Sequence, residues 1–246
     1  MSRRFPVRGL PRTRAIITFS GLDGAGKSSQ AELLREALRG RGIDAAVEWV
    51  PVAINPSLGH IQSIGKRALG AVAKGDRAAG EEAAGQAEVD PGKRLVRRSG
   101  VARQLWSSMV TMANLFSHWR SLLAHRRDAD LLIFDRYALD TAVRLHTWYG
   151  DLGSVVFQTW LIRRLSPRPI CSYFLDVPAE RALARKIDKW ELPTLRRQAE
   201  LYRRECERFG ARRLDGERSV HDLAAEISAD VLRRITVDGR ADVDCR

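Results

Sequence analysis

Residues 21–28 read Gly-Leu-Asp-Gly-Ala-Gly-Lys-Ser, which is a complete G-x-x-x-x-G-K-[ST] motif. Before it, residues 15–19 form a short run of β-branched and aromatic residues, as is typical of a buried parallel strand. After it, residues 30–39 carry apolar side chains at helical spacing, and the pattern ends at Gly40. The sequence therefore predicts a strand, a glycine-rich loop and a helix in succession, which is the setting in which this motif cradles phosphate groups.

The residue types of this loop suit the phosphates of a nucleotide. Its glycines permit positive φ angles and a close approach of the ligand, so that successive N–H groups form an anion-binding nest at a helix N-terminus. Lys27 is expected to reach the β- and γ-phosphates of ATP, and the Ser28 hydroxyl to bind Mg²⁺. A glycine-rich turn that binds nothing is the alternative interpretation. The predicted cofactor-binding residues are Gly21, Leu22, Asp23, Gly24, Ala25, Gly26, Lys27, Ser28 and Ser29.

Composition favours one α/β domain. The 246 residues are 44% hydrophobic, which suffices for a single core, and no apolar run approaches the roughly 20 residues that span a bilayer. Three scattered cysteines without a C-x-x-C motif indicate neither a disulfide framework nor a zinc site, so a cytoplasmic location is expected. The net charge of +12 comes almost entirely from arginines spread along many helices, so nucleic-acid binding is not expected as the main role.

Strands and helices alternate along the chain. This alternation predicts a central parallel sheet of about five strands with helices on both faces. We expect a single domain over 14–238, preceded by a basic tail at 1–13 and carrying a flexible insertion near 74–96, where large apolar residues are almost absent. The predicted strands are 15–19, 45–50, 131–134, 170–175 and 211–214. The predicted helices are 30–39, 57–72, 101–127, 138–164 with an interruption near 150–153, 178–188, 194–209 and 220–234.

Asp135-Arg136-Tyr137 directly follows the predicted strand at 131–134. In a parallel α/β sheet this places it at the carboxyl edge, where the glycine-rich loop also lies. There Asp135 would hold the magnesium shell or orient an acceptor hydroxyl, and Arg136 would neutralise charge on a phosphoryl group in transfer. The alternative is that Asp135 caps the helix that begins near Ala138.

Several segments together resemble the thymidylate kinases. They are residues 18–30 around the loop, Asp135-Arg136-Tyr137 and Phe174-Leu175-Asp176-Val177-Pro178, with Leu214-Asp215-Gly216 near the end. The resemblance spans about residues 14–235. It implies a P-loop kinase fold, the cofactors ATP and Mg²⁺, and a homodimer formed through the long helix at 101–127.

The resemblance also implies roles for individual residues. Asp23 would contact the sugar hydroxyl of the acceptor nucleotide, and Asp135 and Arg136 would lie beside the phosphates and the metal. A basic lid near 185–196 would close over ATP, with Arg185 among its cations. The predicted catalytic residues are therefore Lys27, Asp135, Arg136 and Arg185, the metal ligands Ser28 and Asp135, and the substrate-binding residues Asp23, Arg120, Tyr137 and Arg144.

The departures from this family lie on the acceptor side. Where the family usually has Arg-Glu-Pro-Gly-Gly after the second strand, residues 49–53 read Trp-Val-Pro-Val-Ala, so the arginine that grips the monophosphate is missing. Asp140 stands where a serine is usual, and Val143-Arg144-Leu145 replaces Ala-Tyr-Gln. Ser20 stands where a glutamate usually precedes the loop. Arg144 is a candidate to replace the lost phosphate contact.

The residues expected to bind ATP match the family pattern, whereas those expected to bind the acceptor differ from it. Three hypotheses follow. The first is ATP-dependent phosphoryl transfer to dTMP or a related nucleotide. The second keeps the fold and the donor site but takes a nucleoside, a sugar or another small hydroxyl acceptor. The third is a nucleotide-binding regulator without kinase turnover.

Overall fold

A computed structural model of the chain describes residues 15–50, 100–125, 129–150, 155–185 and 191–241. The predictions for the tail at 1–13, the helix at 57–72 and the insertion at 74–96 lie outside the described residues, as does part of the lid near 185–196. Five strands are present: β1 (Ala15–Gly21), β2 (Ala45–Trp49), β3 (Leu131–Asp135), β4 (Cys171–Asp176) and β5 (Arg212–Asp215). The five strands predicted from the sequence are confirmed.

The strands form one parallel sheet in the order β2-β3-β1-β4-β5. β1 therefore lies at its centre, and the glycine-rich loop leaves the carboxyl end of that strand. In register, Phe19 pairs with Asp135 on β3, and Gly21 pairs with Leu175 on β4. With helices around a five-stranded parallel sheet, the chain has the α/β architecture of the P-loop kinase fold.

Seven α-helices lie in the described part of the chain, and they follow the predicted order. The stretch predicted as helical at 138–164, with an interruption near 150–153, forms one helix that ends at Tyr149 and another that begins at Val156. The predicted helix at 194–209 ends at Glu205, before a 3-10 turn at Glu207–Phe209. The helices are α1 (Lys27–Arg39), α2 (Gly100–Ala124), α3 (Ala138–Tyr149), α4 (Val156–Leu165), α5 (Ala179–Arg185), α6 (Leu192–Glu205) and α7 (Val220–Ala241). None of them combines the length and the hydropathy that a bilayer crossing requires.

The alternation of side chains along the strands builds a core on each face of the sheet. On one face, Ile17 and Ile133 belong to the apolar cluster that includes Leu34 of α1 and Ile227 of α7. On the other face, Ile16, Leu132 and Phe134 pack with Leu115 of α2 and Ile162 of α4. Because both faces are covered, β1 and β3 are buried along nearly their whole length, and their carboxyl ends lie beside each other.

Candidate active site

The glycine-rich loop adopts the left-handed backbone that its sequence predicts. Gly24 has φ 85° and Gly26 has φ 90°, backbone angles that residues other than glycine rarely adopt. A Cβ atom at Gly24 would lie 2.4 Å from the carbonyl oxygen of Ala182 on α5, so this glycine also allows α5 to contact the loop. The loop is therefore packed against the helix that precedes the predicted lid.

Lys27 begins α1 and is buried. Its Nζ donates hydrogen bonds to the carbonyl oxygens of Gly21 (2.9 Å) and Leu22 (2.7 Å), and it lies 3.8 Å from an Asp23 carboxylate oxygen. Burial, followed by the charge of Arg136, lowers the pKa of Lys27, although nearby carboxylates partly oppose this shift. The ammonium group is thus held inside the loop, among carbonyl oxygens.

Ser28 and Asp135 meet at the carboxyl edge of the sheet, as predicted. The Ser28 hydroxyl donates to Oδ2 of Asp135 at 2.5 Å. Oδ1 of Asp135 is buried and accepts no hydrogen bond from any described residue, which is unusual for a buried carboxylate. A carboxylate oxygen without a donor beside a hydroxyl suits a hard cation such as Mg²⁺, which takes one or two protein ligands and completes its shell with phosphates and water. In the described part of the chain no cluster of three or more His, Cys, Asp or Glu offers a metal site.

Asp23 lies between two arginines. Its carboxylate forms an ion pair with Arg136, and Arg144 on α3 lies 3.7 Å from its other oxygen. All three side chains are at most 17% exposed. Burial favours a lower pKa for Arg136, but the charges of Asp23 and neighbouring groups outweigh burial, so the pKa of Arg136 is raised. The pKa of Arg144 is lowered by burial and by the charge of Arg136. Asp23 is thus shared by two guanidinium groups, each a potential partner for an anion.

Arg136 has a positive φ of 76°, the one described non-glycine residue with this feature. Its N–H donates to the carbonyl oxygen of Phe19 at 3.0 Å, which fixes the turn at the end of β3 against β1. A left-handed backbone at such a residue costs on the order of 1–3 kcal/mol and is concentrated at functional sites. Here it directs the guanidinium towards Asp23 in the loop.

The remaining predicted residues are Tyr137, Arg120 and Arg185. Tyr137 packs its ring against His118 and Phe134, and its hydroxyl donates to the carbonyl oxygen of Pro167 at 2.8 Å. Its role in substrate binding stays a prediction. Arg120 is exposed on α2. Arg185, at the end of α5, donates to the carbonyl oxygen of Gly216 at 3.3 Å. The site roles of Arg120 and Arg185 stay predictions.

Sequence reasoning missed two residues of the site, Asp140 as a hydrogen-bond acceptor and Tyr202 as its donor. Both are buried, and the Tyr202 hydroxyl donates to Oδ1 of Asp140 at 2.8 Å. Ser20 donates to Oδ2 of the same carboxylate at 2.7 Å. The available signal was that Asp140 and Ser20 each depart from the thymidylate kinase pattern; nothing in the sequence singled out Tyr202.

Comparison with known proteins agrees with this arrangement. No protein-family model matches the chain. The chain is similar to a thymidylate kinase from Chlorobium limicola, with 25% identity over 191 residues. The similar region covers 77% of this chain and 73% of that protein.

Proposed function

We propose that the chain is a kinase that transfers the γ-phosphoryl group of ATP to a nucleoside monophosphate in the presence of Mg²⁺, with dTMP as the first candidate acceptor. The main support for the proposal is that the phosphate loop, Asp135 and Arg136 lie together at one edge of the sheet. The similarity to a thymidylate kinase supports the reaction class.

Each group has a defined task in this proposal. The loop N–H groups and Lys27 bind the ATP phosphates, and Ser28 and Asp135 hold Mg²⁺. The bound Mg²⁺ supplies positive charge that neutralises the phosphates during transfer. Arg136 stabilises charge on the transferred group. The acceptor oxygen bonds to the γ-phosphorus while the bond to the β–γ bridging oxygen breaks, which releases ADP.

The charges around Asp23 favour an acceptor that is itself an anion. Arg136 and Arg144 both lie beside the carboxylate of Asp23, and guanidinium groups bind phosphate oxygens through paired hydrogen bonds, so the two arginines suit a monophosphate group. Arg144 would in this way take over from the arginine that is missing at position 49. An Arg144→Leu variant should therefore raise the KM for the monophosphate about 10- to 100-fold and leave the KM for ATP nearly unchanged.

One observation favours the second hypothesis, an unphosphorylated hydroxyl acceptor. Trp49 lies at the carboxyl end of β2, in register with Asp135, and is 58% exposed. An exposed indole offers a stacking surface to a base or a sugar ring, and it offers no charge to a phosphate. This hypothesis predicts turnover with a nucleoside or a sugar, and none with dTMP.

ADP release from the purified chain, with ATP and Mg²⁺, tests these hypotheses against a panel of monophosphates, nucleosides and sugars. Stimulation by dTMP or another monophosphate supports the proposal, and stimulation by uncharged acceptors alone supports the second hypothesis. Tight ATP binding without acceptor-stimulated turnover would support a regulator. Lys27→Ala is the control for the loop, and activity near the wild-type rate in this variant would contradict the proposed role of Lys27.

We also propose one P-loop kinase domain over 14–238 with a lid near 185–196. The contact between the loop at Gly24 and α5 at Ala182 supports a lid next to the donor site. A cytoplasmic role in nucleotide biosynthesis agrees with Cys171 and Cys206, which are both buried and, among the described residues, form no disulfide.

A homodimer is the last part of the proposal. One face of α2 is apolar and exposed, and a second copy of the same face would cover it by two-fold symmetry. The exposed apolar residues of this α2 face are Leu105, Met109, Met112, Phe116, Trp119 and Leu123.

A further inference from the structure

Asp140 is a fully buried carboxylate, 1% exposed, near the start of α3. Its oxygens accept from the hydroxyl groups of Ser20 (2.7 Å) and Tyr202 (2.8 Å) and from the Tyr137 N–H (2.8 Å), with a longer contact of 3.4 Å from the Gly21 N–H. A buried charge is tolerated when donors surround it in this way. The proposed phosphoryl transfer gives Asp140 no direct task.

The four donors belong to three different parts of the fold. Ser20 and Gly21 end β1 and open the phosphate loop, and Tyr137 directly follows Asp135 and Arg136. Tyr202 lies on α6, the helix whose first residues fall within the predicted lid near 185–196. One carboxylate therefore connects the phosphate loop, the corner that carries Asp135 and Arg136, and α6.

The Ser20–Asp140 hydrogen bond also joins two positions at which this chain departs from the thymidylate kinase pattern. That pattern has a glutamate where this chain has Ser20, and a serine where it has Asp140. The two positions are 120 residues apart in the sequence and in direct contact in the fold. In this chain the pair consists of one hydroxyl and one carboxylate, and the resemblance implies the same two groups with their positions exchanged.

We propose that Asp140 is a positioning residue, which holds the phosphate loop in register with Asp135 and Arg136 and connects both to α6. The proposal rests on the proposed function for what the loop binds. The contacts of Asp140 require one carboxylate at positions 20 and 140 together. With a serine at both positions, the buried donors lose their shared acceptor. With a carboxylate at both positions, two negative charges meet in a buried space. Burial, followed by the charge of Asp140, raises the pKa of Tyr202 well above its usual range, so its hydroxyl remains a donor.

The exchange of the two side chains is the direct test. We expect Ser20→Glu and Asp140→Ser each to weaken ADP binding, measured by calorimetry, about ten-fold and to lower kcat more than they change the KM of the acceptor. The double variant again has a single carboxylate, now at position 20, with a hydroxyl at position 140. It should bind ADP within about three-fold of the wild type. A double variant as weak as the worse single variant would overturn the proposal.

Two buried tyrosines provide a milder matched pair, should the charge variants fail to fold. Tyr202 donates to Asp140, whereas Tyr173 donates to Asp230 at 2.9 Å, away from the loop. Both Tyr→Phe variants lose one buried phenol–carboxylate hydrogen bond and should lose similar thermal stability. Only Tyr202→Phe should lower kcat, by about three- to ten-fold, with Tyr173→Phe unchanged.

The outcomes separate the positioning proposal from the proposed function. Suppose that the wild-type protein binds ADP, that the two tyrosine variants have equal kcat values, and that the Ser20→Glu, Asp140→Ser double variant does not recover ADP binding. These results would overturn the positioning role of Asp140 and leave the proposed function in place. Wild-type protein that binds no ADP would overturn the proposed function and, with it, the positioning role.

Discussion

Asp135 differs from the other buried carboxylates near the loop because one of its oxygens has no donor. Asp140 is surrounded by hydroxyl and N–H groups, and Asp23 is paired with arginines, but Oδ1 of Asp135 accepts nothing from the described residues. Such an atom is costly unless a ligand satisfies it. This residue therefore gives the most direct test of the metal site.

Asp135→Asn should weaken the Mg²⁺ dependence of activity. The substitution keeps the size of the side chain and an oxygen for the Ser28 hydroxyl but removes the charge that attracts the cation. We expect the Mg²⁺ concentration for half-maximal activity to rise about 10- to 100-fold. Titration of activity with Mg²⁺ at saturating ATP measures this shift. An unchanged midpoint would show that Asp135 is not a metal ligand.

His118 should make the protein less stable as the pH falls below 6.5. Its ring is buried against Tyr137 and Phe134, its Nδ1 lies 3.1 Å from the Ser166 hydroxyl, and burial lowers its pKa to about 3. Between pH 6.5 and 3 the unfolded chain binds a proton that the folded chain does not, so the free energy of unfolding falls by up to about 1.4 kcal/mol per pH unit.

Urea unfolding at pH 7 and pH 5 measures the effect of His118. The histidine should account for about 2 kcal/mol of the decrease between these pH values, and His118→Phe should remove that part of the dependence. His221→Gln, at an exposed position on α7, is the control and should leave the dependence as it is in the wild type. Identical pH dependence in all three proteins would contradict a neutral buried His118.

At the scale of elements, α5 and the phosphate loop form one packed unit. Gly24 and Gly42 both have positive φ, 85° and 77°, so an alanine is strained at either position. An added Cβ would collide with Ala182 of α5 only at Gly24; at Gly42 no atom lies within 4 Å. These two glycines therefore separate backbone strain from loss of the contact between the loop and α5.

Gly24→Ala and Gly42→Ala should each cost about 1 kcal/mol of stability or more, because alanine disfavours positive φ. Only Gly24→Ala should weaken ADP binding, about ten-fold or more, since α5 or the loop must move. Thermal unfolding and calorimetry on both variants test this. Equal ADP affinities would mean that the packing of α5 on the loop does not matter for the donor site.

Elements and site differ in how far the sequence could predict them. Runs such as Leu131–Phe134 are short and apolar, so the five strands were predictable, as was the loop from its motif. The strand order was not, because alternating strands and helices fit several orders. The contacts of Asp140 could not be predicted for a similar reason. Its partners Ser20 and Tyr202 lie 120 and 62 residues away in the sequence, and no local pattern connects them.

At the scale of the whole molecule, the apolar face of α2 should drive dimerisation. We expect Phe116→Glu, in the middle of that face, to convert a dimer into a monomer of 27.6 kDa by placing a charge in a desolvated contact. Val220→Glu, at a comparably exposed apolar residue on α7, is the matched control. Light scattering after size-exclusion chromatography gives the mass. A wild-type monomer at micromolar concentration would contradict the proposed dimer.

In the proposed function, the phosphate loop, Asp135 and the arginines on Asp23 form one site for phosphoryl transfer to a monophosphate. ³¹P nuclear magnetic resonance of the full chain with ATP, Mg²⁺ and dTMP tests this proposal, because the spectrum identifies the product. We expect dTMP to be converted to the diphosphate as ATP becomes ADP, Lys27→Ala to abolish the conversion, and Arg144→Leu to slow it at low dTMP. Phosphorylation of thymidine or a sugar with dTMP left unchanged, or no loss of ATP with any acceptor, would contradict it.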